Sequence, residues 1–123
     1  MEVKCVISLG ELVDKISVLK IKEKKINDLN KVANVKKELG ILEGILDNLN
    51  VDGIDSYTED LESINEYLWI VIDKMRVHEK EENFDEEFIR LAREVYKNND
   101  KRFFVKHEIN KKYGSLIKEE KNI

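Results

Sequence analysis

Apolar residues recur at alternating intervals of three and four positions along most of the chain. This interval matches the turn of an α-helix, and it is the repeat by which helices pack against one another. The 123 residues include no proline and only five glycines, so little would interrupt long helices. The sequence therefore predicts an all-α fold, an antiparallel helical hairpin or bundle of four to five helices. Two stretches show the repeat best: Val32, Val35, Leu39, Leu42, Leu46 and Leu49, and then Leu61, Ile64, Leu68, Val71 and Met75.

Polar residues at fixed offsets predict where these helices begin. A Ser-x-x-Glu capping box at Ser8 predicts a first helix over about residues 9–29. Equivalent boxes at Ser56 and Asn83 predict the starts of two later helices. Residues 50–55 contain an Asp-Gly pair, which favours a loop. The first two predicted helices are joined by almost nothing, which predicts that they form an antiparallel hairpin.

The length and the pattern predict one helical domain over residues 1–123. Residues 1–8 are expected to form an extended arm or a short strand, and residues 115–123 a tail. Residues 97–102 interrupt the apolar repeat, so they form either a polar stretch inside one long helix or a break between two. Gly40 and Gly44 lie one helical turn apart and predict the close approach of another backbone.

Composition limits the partners that the chain can have. The net charge is −4, which argues against binding to duplex nucleic acid. Cys5 is the single cysteine and cannot form an internal disulfide, and no apolar run reaches about 18 residues. We therefore expect a cytoplasmic protein with no membrane role. Charged residues make up 39% of the chain, which suits thin helices, and a small core of this kind predicts a homo-oligomer or a protein partner.

The strongest candidate site lies near the end of the fourth predicted helix. Asn99, Arg102, Lys106 and Asn110 recur at helical spacing, so their donors would share one face suited to a small anion or a nucleotide. Tyr96 is a possible stacking partner for a base. The alternatives are a buried polar network that sets the register of the helices, or a charged face in solvent.

A second polar face lies on the third predicted helix. Trp69 stands among charged residues there, and Arg76 lies two turns further along. Trp69 either packs against another helix or subunit, or offers a stacking platform beside the anion site. The full row is Glu62, Glu66, Trp69, Asp73 and Arg76.

Metal chemistry is only weakly indicated. The pairs Glu11-x-x-Asp14 and Glu59-x-x-Glu62 resemble the acidic pairs of all-α nucleotide pyrophosphatases, which hold Mg²⁺ on helices. The order of the pairs differs from that family, and 26 acidic residues produce such pairs by chance. No zinc pattern, phosphate loop or nucleophile motif is present. No cofactor is therefore expected, with Mg²⁺ as the alternative.

Several motifs together resemble an uncharacterised family of short bacterial and bacteriophage proteins. They are Ser8-Leu9-Gly10-Glu11-Leu12-Val13-Asp14-Lys15-Ile16, Leu68-Trp69, Asp73-Lys74-Met75-Arg76, the run Phe88 to Arg102 with its Asn99-Asp100-Lys101-Arg102 block, Lys106, and Glu108-Ile109-Asn110. The resemblance covers nearly the whole chain. It implies a helical single domain and a possible phage source, and it implies no activity.

Three functions follow as expectations. The first is a helical oligomer that captures an anionic metabolite or a signalling nucleotide, for example a phage protein that sequesters a host immune signal. The second is an all-α enzyme acting on a phosphate- or carboxylate-bearing small molecule. The third is a coiled-coil scaffold, in which the Asn99–Arg102 block would be a buried register device.

Overall fold

The structure is a computed structural model that describes residues 1–123. It contains four α-helices and no strand, which confirms the all-α prediction and gives the lower of the two expected helix counts. Residues 97–102 lie inside the last helix, so the polar stretch does not break it. The helices are α1 (Leu9–Lys25), α2 (Leu29–Asn48), α3 (Asp55–Lys80) and α4 (Glu86–Lys112).

The helix starts confirm one predicted cap and correct two others. The hydroxyl of Ser8 accepts from the backbone N–H of Glu11, as the capping box predicts. Ser56 does not cap α3, because the helix already begins at Asp55 without a side-chain cap. Asn83 does not cap α4, because Asp85 accepts from the backbone N–H of Phe88 and the helix starts there.

The helix α1 is the centre of the molecule. It packs against all three other helices, whereas α2 contacts α1 alone. Only residues 26–28 join α1 to α2, and the two helices form the predicted hairpin. Leu12, Ile16 and Leu19 of α1 meet Val35 and Leu39 of α2 in one apolar cluster.

A second apolar cluster lies on another side of α1. Val13 packs there with Leu61 of α3, Ile109 of α4 and Ile54 of the preceding loop. Between the two clusters α1 turns a narrow polar stripe toward α3 and α4, which contains the buried residues Asp14 and Ser17. The core is therefore divided, with a polar strip inside it.

The glycines contradict one expectation and reveal another close contact. Nothing lies within 4 Å of the positions where side chains would start on Gly40 and Gly44, so no backbone approaches them. The close approach occurs instead at Gly10, where an added Cβ would stand 2.5 Å from the carbonyl oxygen of Lys106. Only glycine lets α1 and α4 come this near to each other.

Both ends of the chain lie outside the helices. Residues 1–8 form an extended arm and not a strand, and residues 113–123 form a turn and a tail. None of the four helices combines the length and the apolarity that crossing a bilayer would require.

Candidate functional site

Asp14 and Arg102 form an ion pair at the centre of the molecule. Asp14 is 1% exposed, and the guanidinium of Arg102 meets it through two hydrogen bonds, Nε to Oδ1 at 2.8 Å and Nη2 to Oδ2 at 2.5 Å. The side-chain amide of Asn65 donates to the same Oδ1 at 2.9 Å and to the hydroxyl of Ser17 at 2.8 Å. Three helices are thus tied together at one carboxylate. We call Asp14, Asn65, Arg102, Lys106 and Asn110 the polar seam.

The charges of the pair stabilise each other against burial. Burial opposes the ionisation of Asp14, but hydrogen bonds from Arg102 and Asn65 and the positive charges of Arg102 and Lys106 outweigh it, so the pKa of this carboxyl lies below its usual value. The hydrogen bond to Asp14 raises the pKa of Arg102 against the opposing effect of burial. Both groups therefore stay ionised in the folded protein at neutral pH.

Lys106 lies one helical turn beyond Arg102 and is more deeply buried than Arg102. It is 6% exposed, and its ammonium contacts Glu11 of α1 at 2.9 Å and Glu119 of the tail at 3.0 Å. Burial opposes its charge, but hydrogen bonds to Glu11 and Glu119 and the nearby charges of Asp14 and Glu11 outweigh it and raise its pKa. The two carboxylates come from opposite ends of the chain.

The start of α1 is held by the end of α4. Asn110 accepts the backbone N–H of Gly10 on its Oδ1 at 2.7 Å, and Ser115 accepts the N–H of Leu9 on its hydroxyl at 3.2 Å. Together with Ser8, these side chains satisfy the three N–H groups of residues 9–11. The amide Nδ2 of Asn110 is buried without a hydrogen-bond partner, as is Nδ1 of His107.

The predicted anion-site residues of α4 do share one face. Asn99 accepts from Nη1 of Arg102 at 3.4 Å, and Lys106 and Asn110 follow along the same side of the helix. This face is turned toward α1, where its donors meet protein groups. Whether these residues bind a ligand stays a prediction.

Three other predicted site residues, Trp69, Tyr96 and Arg76, make no hydrogen bond or ion pair with this face of α4. Trp69 is half-buried, one turn from Asn65 on α3. Tyr96 is exposed and lies about 9 Å along α4 from Arg102. Arg76 is exposed, pairs with its neighbour Asp73 at 3.6 Å, and lies about 16 Å along α3 from Asn65.

The acidic pairs of the sequence do not converge. Asp14 is occupied by Arg102, Glu11 pairs with Lys106 and with Lys15, and Glu62 pairs with Lys20 of α1. No three side chains of His, Cys, Asp or Glu lie close enough together to hold one ion.

Sequence reasoning missed three residues of this network, the donor Asn65 and the acceptors Ser17 and Glu119. Asn65 stands within an otherwise apolar face of α3, and Ser17 stands one turn from Asp14 on α1. Polar residues at core-facing positions are the signal that could have identified them. Glu119 gave no comparable signal, because it stands in a charged tail with no helical pattern.

An open apolar groove lies between the N-terminal arm and α2. It runs between residues 2–9 and α2, has a volume of about 1310 Å³, and 12 of its 20 lining residues are hydrophobic. Ile41 of α2 is 59% exposed there, and Ile45 and Leu49 are about half exposed. Residues 1–7 make no hydrogen bond with the rest of the chain. We call this surface the arm–α2 groove.

Comparison with known proteins places the chain in a family. It matches no curated protein and no solved structure. The model of a family of unknown function, designated DUF6165, matches residues 3–123. That range includes all four helices, every residue of the polar seam and nearly the whole arm. The chain therefore belongs to this family of unknown function.

Proposed function

We propose that the chain is an interaction protein, a helical scaffold that assembles with a second copy of itself through the arm–α2 groove. The observation that carries this proposal is the contrast between two surfaces. The cations Arg102 and Lys106, which would bind a small anion, already pair with carboxylates of the same chain, whereas the apolar residues around Ile41 are exposed to water. An exposed apolar groove of this size is typical of a docking surface.

The chemistry of the groove favours a polypeptide as its occupant. Its apolar lining includes Leu9, Leu12, Ile41, Leu42 and Ile45. The few charged side chains at its edges carry both signs, so they offer no concentrated positive charge for a phosphate. They are Glu2, Lys4, Lys15, Glu38 and Asp52.

The arm supplies the argument for a second copy. Residues 1–7 of the arm are exposed and carry apolar side chains at Val3, Val6 and Ile7. Their backbone has no partner, so the arm resembles an unpaired edge strand. In an antiparallel pairing of two arms centred on Val3, Glu2 of each copy lies opposite Lys4 of the other. The arm is therefore complementary in charge to itself, as a two-fold interface requires.

Because the core is small, burial of further apolar surface by assembly would stabilise the chain. Only 22 of its 123 residues are buried, and Ile41, Ile45, Leu49, Val3 and Val6 all remain exposed on one side. Pairing two such sides would remove them from water. Small domains commonly gain stability in this way.

Light scattering after size-exclusion chromatography tests the proposal. The wild-type chain of 14.5 kDa is expected to elute as a dimer or a higher even multiple of that mass. Ile41→Glu combined with Ile45→Glu is expected to give a monomer. Ile89→Glu is the matched control, since Ile89 is 57% exposed but lies on α4 away from the groove.

Two results would reject the proposal. The first is a wild-type chain that stays monomeric at concentrations near 1 mM, the weak end of specific association. The second is an assembly that survives the double substitution but is broken by Ile89→Glu. A variant that lacks residues 1–7 provides an independent check. Removal of these residues deletes no hydrogen bond and is expected to weaken assembly.

Capture of an anionic metabolite or signalling nucleotide is the second candidate function. A phage protein that sequesters an immune signal would be one form of this function. One observation favours it: Lys106, though buried, directs its ammonium at a carboxylate of the tail, which an external anion could replace. Calorimetric titration with a nucleotide panel tests this candidate. Equal heats from wild type and Lys106→Met would reject it.

A further inference from the structure

We infer that the C-terminal tail is a latch over an oxyanion subsite, with the carboxylate of Glu119 standing where an external phosphate or carboxylate would bind Lys106. The inference concerns a different surface from the arm–α2 groove and does not depend on assembly. It identifies the anion as a single small oxyanion group and the tail as its competitor.

The tail runs back along α4 after a tight turn. Gly114 adopts a positive φ of 69°, and the N–H of Ser115 then donates to the carbonyl of Asn110 at 2.9 Å. Further along, Glu119 reaches Lys106, and Lys121 reaches Asp100 at 2.9 Å. Successive residues of the tail therefore contact α4 at positions that lie progressively closer to its start. The tail covers the outer side of the polar seam.

Charged contacts hold the distal part of the tail, with little apolar burial. Leu116 is 95% exposed and Ile123 is 69% exposed, so neither anchors it. The pair of Lys121 with Asp100 is partly exposed to water, and such pairs contribute little to stability. Glu119 is itself about half exposed, and the buried Lys106 keeps Glu11 as a partner when Glu119 leaves. The distal tail can therefore separate from α4 without unfolding the helices.

The charge balance around Lys106 identifies what would replace the tail. The ammonium groups of Lys15 and Lys106 share Glu11, and Arg102 pairs with Asp14. With Glu119 in place, three cations face three carboxylates. Release of the tail also separates Lys121 from Asp100, but Lys106 itself then keeps only Glu11, so the vacated position beside its ammonium favours a negative charge.

A buried donor supports the same conclusion independently. Nδ2 of Asn110 has no hydrogen-bond partner although the residue is fully buried, and Asn110 lies one turn from Lys106 on the same face of α4. Buried donors of this kind are uncommon and normally find an acceptor. The polar seam therefore has an unfilled position for an acceptor one helical turn from Lys106.

Titration with inorganic phosphate, followed by calorimetry and by the NMR shifts of the backbone amides of α4, tests the latch. Glu119→Gln keeps the size of the side chain but removes its charge, and it is expected to tighten phosphate binding at least fivefold over wild type. Glu120→Gln is the matched control, since this neighbour makes no ion pair, and its affinity is expected to equal that of wild type. A parallel titration with acetate distinguishes a carboxylate site from a phosphate site.

A second substitution tests whether the binding occurs at Lys106. Lys106→Met in the Glu119→Gln background is expected to abolish binding while the circular dichroism spectrum stays helical. Removal of residues 118–123 is expected to give the same phosphate affinity as Glu119→Gln. The deletion serves as a second test that does not depend on how a single substitution affects the tail. Equal phosphate affinity in wild type and Glu119→Gln, saturable binding in neither, or binding that persists after Lys106→Met would each overturn the inference.

Discussion

The polar seam and the arm–α2 groove reverse the usual distribution of polar and apolar residues. In the seam, Asp14 and Lys106 are buried, and each is paired with an opposite charge of the same chain. In the groove, Ile41 and Ile45 lie open to water. The comparison teaches that the charged side chains join the helices to one another, whereas the apolar side chains of the groove stay exposed to water. Substitutions in the two regions should therefore affect different properties.

The largest effect on stability is expected from Arg102→Ala. It leaves Asp14 buried with a charge that Arg102 no longer balances, and breaking such a pair costs about 3–5 kcal/mol. Urea unfolding followed by circular dichroism measures the loss. Arg90→Ala is the control, because Arg90 makes only an exposed pair with Glu87 and should change stability by less than about 1 kcal/mol. A cost below about 1 kcal/mol for Arg102→Ala would contradict the structural role of the seam.

A smaller loss is expected from Gly10→Ala. The added methyl group would meet the carbonyl oxygen of Lys106 at 2.5 Å, so α1 and α4 must move apart, at a cost of about 1–3 kcal/mol. Gly40→Ala is the matched substitution in a helix, with nothing within 4 Å of the new methyl group. It is expected to stabilise the chain by up to about 1 kcal/mol through helix propensity. Opposite signs in thermal melts support the structure, and a loss in both variants would mean that α2 is covered.

In acid, the free energy of unfolding should fall as the carboxylate of Asp14 in the polar seam becomes protonated. Because the pKa of Asp14 is lowered in the folded state, its contribution is present above its ordinary pKa of 3.8 and is lost as the pH falls through the lower native value. For Lys106, whose pKa is raised, the contribution is present below 10.5 and is lost as the pH rises through the higher native value. Urea unfolding between pH 2 and pH 7 should show a shallower loss in Asp14→Asn than in wild type. Parallel curves for the two proteins would be inconsistent with the shifted pKa.

The smallest effect is expected in the groove. Ile41→Ser should change the unfolding free energy of the unassembled chain by no more than about 0.5 kcal/mol, because the side chain is already exposed. The measurement needs a protein concentration at which chromatography shows the monomer. A loss above about 1 kcal/mol would show that this flank of α2 packs within its own chain.

The sequence alone was sufficient to predict the helices but not all of their ends. The three-four repeat identified the apolar stripes, and Ser8 caps α1 as its motif indicated. Asn83 and Asp85 are both competent caps, and the choice between them depends on how the chain arrives from α3. Tertiary packing decides such cases, because the intrinsic preferences of the two residues are nearly equal.

Only the part of the candidate site that lies on α4 could be predicted from the sequence. Spacing along α4 correctly placed Asn99, Arg102 and Lys106 on one face. It could not show what lies opposite, because Asp14 is 88 positions away from Arg102 along the chain. Helical periodicity relates residues within a helix and carries no information on which neighbouring helix presents an acceptor. The difference between an open anion site and a closed network therefore needed the structure.

A double-mutant cycle on Asp14 and Arg102 tests the central claim most directly. Asp14→Asn, Arg102→Gln and the double variant preserve the approximate shapes of the side chains and remove the charges singly and together. The structure predicts a coupling energy of at least about 1 kcal/mol, since the two groups are in contact and share two hydrogen bonds. Additive losses, with a coupling near zero, would mean that Arg102 faces solvent and that the polar seam does not hold α4 to α1.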